Sequence, residues 1–117
     1  MKIRALLSAL LLAAGLMFVT GCESPHRGFR EWRAALLKGD LSKANSRTTQ
    51  QGQMLNQMLI SRFKEDADAR RDFEKVEIVS YTRNGNTVTL KLKNADGSFG
   101  EQEMIKEDGR WKVNVKK

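Results

Sequence analysis

Met104-Ile105-Lys106-Glu107-Asp108-Gly109-Arg110-Trp111-Lys112-Val113 reads as two short strands around a tight turn. Asp108-Gly109 turns the chain, and alternation then puts Trp111, Val113 and Val115 on one face and Lys112, Asn114 and Lys116 on the other. The same period of two runs backward. Val88, Leu90 and Leu92 alternate with Thr87, Thr89 and Lys91, and Val76, Ile78 and Ser80 alternate with Glu77, Val79 and Tyr81. Asn84-Gly85 is a strong hairpin signal between those two runs, because both residues tolerate positive φ. Asn94-Ala95-Asp96-Gly97 makes the next turn, and residues 99–106 form a weaker third strand. Four strands joined by short loops predict an antiparallel meander with one apolar face that must be covered.

The cover comes from the preceding half of the chain. Ser24-Pro25 opens a first helix, with serine as N-cap and proline at the first helical position. Phe29, Trp32 and Leu36 recur at helical spacing, and Gly39 is a natural stop. Asp40 then caps a short second helix from Leu41 to about Ser46. Residues 47–53 are polar and turn-prone, with Thr48 or Thr49 able to cap a helix. Met54, Leu55, Met58, Leu59 and Phe63 form an apolar stripe, and residues 68–73 read as a continuation or a further turn of helix. The predicted class is α+β, with two to three N-terminal helices packed on a four-stranded curved antiparallel sheet.

This order of elements resembles the cystatin-like folds. Met104 to Val113 is similar to the closing hairpin of small bacterial lipoproteins with a nuclear-transport-factor-2-like domain, most of them of unknown function. Trp32-Arg33-Ala34-Ala35-Leu36-Leu37-Lys38-Gly39-Asp40-Leu41 resembles their first helix and its Gly-Asp end. The resemblance covers residues 24–115. It implies a cone-shaped domain with a pocket between helices and sheet, shallow or filled in so short a chain. Relatives include enzymes, ligand binders and interaction modules, so fold alone does not decide function.

The beginning of the chain carries a second signal. Lys2 and Arg4 precede an apolar run from Ala5 to Val19, and Val19-Thr20-Gly21-Cys22 follows. This resembles the lipobox of bacterial lipoproteins, in which the cysteine thiol takes a diacylglyceryl group, cleavage falls before the cysteine, and the new amine is acylated. The run is short for a transmembrane span, which needs roughly 20 apolar residues, and its flanks suit a cleaved signal. An ordinary secretory signal would leave Cys22 as a lone unpaired thiol, which lipidation explains. The expected organisation is a signal peptide over 1–21, a lipidated N-terminus and short tether over 22–24, and one domain over 25–117. Glu23 after the cysteine, rather than aspartate, favours the outer membrane facing the periplasm under enteric-type sorting.

Removing residues 1–21 from 117 leaves 96, enough for one small domain with a modest core. With a single cysteine no intramolecular disulfide exists, so packing alone stabilises the domain. Loss of Lys2 and Arg4 lowers the formal charge from +7 to +5. That mild basic excess suits a solvated surface or an anionic envelope partner. Export argues against nucleic acid. Oligomeric state is not readable.

Residues with catalytic chemistry are sparse. His26 is the only histidine, and it lies beside the proposed anchor. Asp66-Ala67-Asp68 lacks the glycine and terminal glutamate of a calcium loop. Glu101 and Glu103 share a face of what reads as an edge-like strand, where carboxylates usually only solvate. No phosphate loop or nucleophile constellation occurs, so neither enzymatic activity, nor a metal, nor a cofactor is expected. Two binding candidates stand out. Arg27, Arg30 and Arg33 repeat every third position on the first helix and are the candidate membrane-surface contact. Met54, Leu55, Met58, Leu59 and Phe63 are the candidate apolar pocket, since methionine adapts to irregular apolar surfaces. The expected function is a lipid-anchored, non-enzymatic binding or interaction module whose partner is another envelope protein. The alternative is a carrier or sensor of a small apolar ligand.

Overall fold

The computed structural model describes residues 23–115. The expected signal peptide and Cys22 lie outside these residues. The elements run α1 (Pro25–Lys38), α2 (Leu41–Ser46), a 3-10 turn (Gln50–Gly52), α3 (Gln53–Glu65), α4 (Ala67–Glu74), β1 (Glu77–Asn84), β2 (Thr87–Lys93), β3 (Phe99–Glu107) and β4 (Arg110–Val113). The class is α+β as expected, with one more helix than the expected two to three. The extra helix begins because Asp66 leaves helical geometry and its carboxylate accepts the Ala69 N–H, capping α4 afresh.

The predicted caps hold. The Ser24 hydroxyl accepts from Arg27 N–H with proline just after it, Gly39 ends α1 at φ 77°, and the Asp40 carboxylate accepts from Lys43 N–H. Each satisfies a backbone group that the helix end would otherwise leave open.

The strands form one antiparallel sheet in the order β1-β2-β3-β4. Two local readings change. The first hairpin turns on Gly85-Asn86, with Asn84 paired to Thr87, and the positive φ of 65° falls on Gly85. The second alteration is a bulge in β1. Ile78 pairs Leu92 and Ser80 pairs Lys91, which leaves Val79 extra. Simple alternation put Ile78 and Tyr81 on opposite faces; the extra residue returns both to the helix side, Tyr81 opposite buried Leu90. The last hairpin turns on Asp108 at φ 54° and Gly109 at φ 77°, the two-residue loop whose twist matches the strands.

Val88, Leu90, Met104, Trp111 and Val113 give the sheet its buried face, and Phe29, Trp32, Ala35, Leu36, Ala44, Ile60 and Phe63 come from the helices. Among the described residues, every one of these lies between residues 29 and 113. The helix α1 lies directly on β4. A Cβ added at Gly28 would stand 2.6 Å from the Trp111 carbonyl oxygen and 2.9 Å from Trp111 Cβ. Glycine is what allows that approach. At the outer edge of β4, Val113 N–H donates to Arg47 O at 2.8 Å and Val113 O accepts from Thr49 N–H at 2.9 Å, so the segment after α2 covers the strand's free side.

Trp111 is buried at the centre of this contact. Trp111→Ala should cost about 3–5 kcal/mol and lower the melting temperature by at least ~10 °C for a domain of this size. A thermal melt followed by far-UV circular dichroism checks this. Gly28→Ala should also destabilise, because backbone rather than a flexible side chain blocks the new methyl group.

Candidate functional site

Leu55 of α3, Thr89 of β2, Glu101, Gln102 and Glu103 of β3, and Asn114 and Val115 after β4 surround an open groove of about 330 Å³. It exists because β4 stops at Val113 while β3 runs on past it. The polar wall is cross-linked. Gln102 Nε2 donates to Glu103 O at 2.8 Å and Asn114 O at 3.2 Å, Asn114 Nδ2 donates to Glu103 Oε2 at 2.7 Å, and Thr49 Oγ1 donates to Asn114 Oδ1 at 3.3 Å. Two carboxylates beside an aliphatic wall suit a polar or cationic group. Among the lining residues none is a histidine or a cysteine. The sequence reading placed Glu101 and Glu103 on an edge-like strand; β3 lies between β2 and β4, but β4 pairs only with residues 104–107, so this stretch is ladder-paired on the β2 side alone, and Glu103 is held by Asn114.

A second, shallower groove of about 460 Å³ runs along the outside of α3, between Met54, Gln57, Met58, Ser61, Arg62 and Glu65. Here the candidate apolar pocket divides. Met54 and Met58 are 74% and 63% exposed on the outer surface, Leu55 edges the first groove, Leu59 packs half-buried against the core, and Phe63 is in it. The five do not line one helix–sheet pocket. Residue 54 to residue 63 spans more than two turns, and the helix rotates the stripe away from the sheet. The space beneath is filled by Val88, Leu90 and Met104 at zero exposure.

Arg27, Arg30 and Arg33 also separate. Every third position drifts by about 60° per step around a helix of 3.6 residues per turn. Arg27 pairs with Glu31 at 2.8 Å, Arg30 is exposed, and Arg33 turns inward to donate to the Val76 carbonyl at 2.5 Å, its guanidinium 5.5 Å from the Phe29 ring centroid. Burial, helped by neighbouring Arg30, pushes the Arg33 pKa down. His26 meets the Tyr81 ring edge-on at 5.4 Å. Among the described residues no group of three or more His, Cys, Asp or Glu side chains is placed to hold a metal, and no helix is long and apolar enough to cross a membrane.

The sequence reading missed the most engaged polar residue. Arg47 stood in a stretch read only as turn-prone, yet it is 1% exposed. Its guanidinium donates to Glu23 at 2.5 and 3.1 Å, to Glu31 Oε1 at 2.6 and 3.0 Å, and to the Trp111 carbonyl at 3.3 Å. Glu23 Oε2 also accepts the Trp111 N–H at 3.1 Å. Residues 22–24 were expected to be a short tether, but Glu23 is bound to the domain and Ser24 caps α1. Burial pushes the Glu23 carboxyl upward, and the Arg47 and Trp111 hydrogen bonds outweigh it, leaving the pKa below its ordinary value. Glu31 is held low first by the hydrogen bond from Arg27 and also by Arg47, against a smaller effect of burial. A second missed polar centre is Asn56, fully buried, which accepts from Trp32 Nε1 at 2.8 Å and donates to Asn45 Oδ1 and Thr48 Oγ1. An i, i+4 arginine–glutamate pair and a serine N-cap are visible in sequence, but no spacing rule points from Glu23 or Glu31 to Arg47.

The fold is nuclear-transport-factor-2-like. A structure search aligns 80% of this chain with the whole of a Campylobacter jejuni protein described as an NTF2-like transpeptidase, at a TM-score of 0.57 and 14% identity. That likeness is one of fold, and the activity in the description belongs to that protein. No protein-family model matches the chain, and no curated protein matches it by sequence.

Arg47→Met should leave Glu23 without its cation beside Glu31, which keeps Arg27. The loss should lie toward the lower end of ~3–5 kcal/mol, because both carboxylates keep some contact with water. The pH dependence has a definite sign. Glu23 and Glu31 have lowered folded-state pKa values, so their contribution is complete above the ordinary value of 4.5 and is lost as pH falls through the lowered values. Urea unfolding at about pH 7 and about pH 3.5 should show a wild-type stability that drops on acidification, and a smaller gap between wild type and Arg47→Met at the lower pH.

Proposed function

We propose that this protein is a lipid-anchored component of a bacterial envelope whose domain acts as a non-enzymatic binding or interaction module. The observation that carries this reading is Val19-Thr20-Gly21-Cys22 after a basic start and an apolar run. The anchor is the acylated Cys22, with diacylglycerol on sulfur and a fatty acid such as palmitate on the amine. Glu23 at the next position favours the outer membrane, facing the periplasm. Two features favour an interaction module over the carrier alternative. The space between helices and sheet is filled by side chains, which leaves little room for an enclosed apolar ligand. Apolar side chains that a carrier would bury, Met54 and Met58, instead stand at the surface. The partner on this reading is another envelope protein, with the groove at Glu101 and Glu103 as a polar contact and the α3 groove as an apolar one.

Cys22→Ser should abolish lipidation and impair processing in the native host. Mass spectrometry of the membrane fraction would read this directly. Normally processed, diacylated protein from the mutant would overturn the anchor and the localisation together. Crosslinking in intact cells, with Met54→Ser and Met58→Ser as comparison, should show a protein adduct that the double variant weakens; retention of a small apolar molecule by the purified domain would favour the carrier.

A further inference from the structure

One flank of α1 faces β1 and is lined by cations. His26 touches Tyr81, and Arg33 reaches the Val76 carbonyl at the approach to β1. Arg30 lies between these two on the same flank, about one turn from each, and is exposed. At the hairpin end of the same seam, the Arg83 guanidinium carbon lies 5.6 Å from the centroid of the Trp111 ring and the Lys106 ammonium 6.0 Å from it. Arg83 also donates from Nε to the Gly85 carbonyl at 3.1 Å.

Glu31 turns to Arg27 and Arg47, Glu107 pairs with Lys112, and Glu77 stands opposite Lys93 at the far end of β1. Two positions before Arg83 on the same strand face, Tyr81 is 54% exposed. It points to the helix side, where His26 meets its ring edge-on, and is still exposed. The chain preceding Ser24 leaves at this end of the domain, where Glu23 accepts the Trp111 N–H. His26 links Arg30 on α1 to Tyr81 on β1, and Arg83 follows on the same strand face.

We infer that this α1–β1 face is a contact surface for an anionic lipid bilayer. Arg30 and Arg83 engage lipid phosphates, and Tyr81 enters the boundary between headgroups and acyl chains, where an aromatic ring with a polar tip is favoured. The orientation rests on the lipid-anchor reading, since an anchor at Cys22 would bring this end to the membrane; the attraction itself does not require it.

The test uses residues 23–117, which contain every core residue named above and are first checked for a cooperative thermal melt, and co-sedimentation with vesicles of phosphatidylglycerol and phosphatidylcholine at low salt. Wild type should bind these and not vesicles of phosphatidylcholine alone. Arg30→Gln with Arg83→Gln should weaken binding about 30-fold, at roughly 1 kcal/mol for each basic residue near an anionic surface. Since Arg83 touches Trp111, Arg30→Glu provides a variant remote from the core that should keep the wild-type melting curve and still bind at least about 10-fold more weakly. Arg62→Gln, on the outside of α3, should bind as wild type. Equal binding to neutral vesicles, or undiminished binding by Arg30→Glu, would overturn the inference. Release by inorganic phosphate, where chloride of equal ionic strength has no effect, would also overturn it in favour of a soluble phosphate ligand. Because Cys22 is absent from this protein portion, failure here is separable from failure of the lipid-anchor reading.

Discussion

The guanidinium of Arg47 ties together pieces of chain that lie far apart in sequence. Its side chain binds Glu23 ahead of α1, Glu31 within α1 and the carbonyl of Trp111 in β4, and its own carbonyl takes the Val113 N–H. A buried ion pair adds little net energy, because desolvating the charges costs several kcal/mol that good geometry only repays. What it adds is position. A hydrophobic layer slides over a sheet at small cost, whereas a planar fork with five donors accepts its partners in few arrangements. With Arg47 fixed, α1 has one seat on β4, and Gly28 is the residue that lets it sit there.

Much of this architecture was legible because it is local. Ser24, Gly39 and Asp40 act on backbone groups within four residues of themselves, and the alternation around Trp111 needs only a period of two. The places where sequence reading failed are those where one residue changes the count or where the partner is far away. Val79 is an ordinary strand residue until its pairing shows it to be extra. Asp66 reads as part of a charge run, but its backbone leaves the helix and restarts it.

The surface sites were less legible than the fold. A period of three on a helix does not mark one face, so Arg27 and Arg33 went to different partners, Glu31 and Val76. The Met54 to Phe63 stripe held too many apolar residues for one α3 face, and the sheet needed only Ile60, Phe63 and their half-buried neighbours. The groove at Glu101 and Glu103 depends on where β4 ends, a boundary set by Arg47 and Thr49 rather than by anything in β4 itself. Arg83 and Lys106 meet over Trp111 only because three strands bring them there.

The bulge in β1 has a further effect on how copies of the domain behave toward each other. β1 is the open edge of the sheet, and a regular open edge invites another strand to add to it. An unpaired residue at position 79 breaks the spacing of backbone donors and acceptors on that edge, and Arg83 puts a charge further along it. Two such edges cannot zip together in register over their length. At high local density that irregularity works against sheet-to-sheet aggregation.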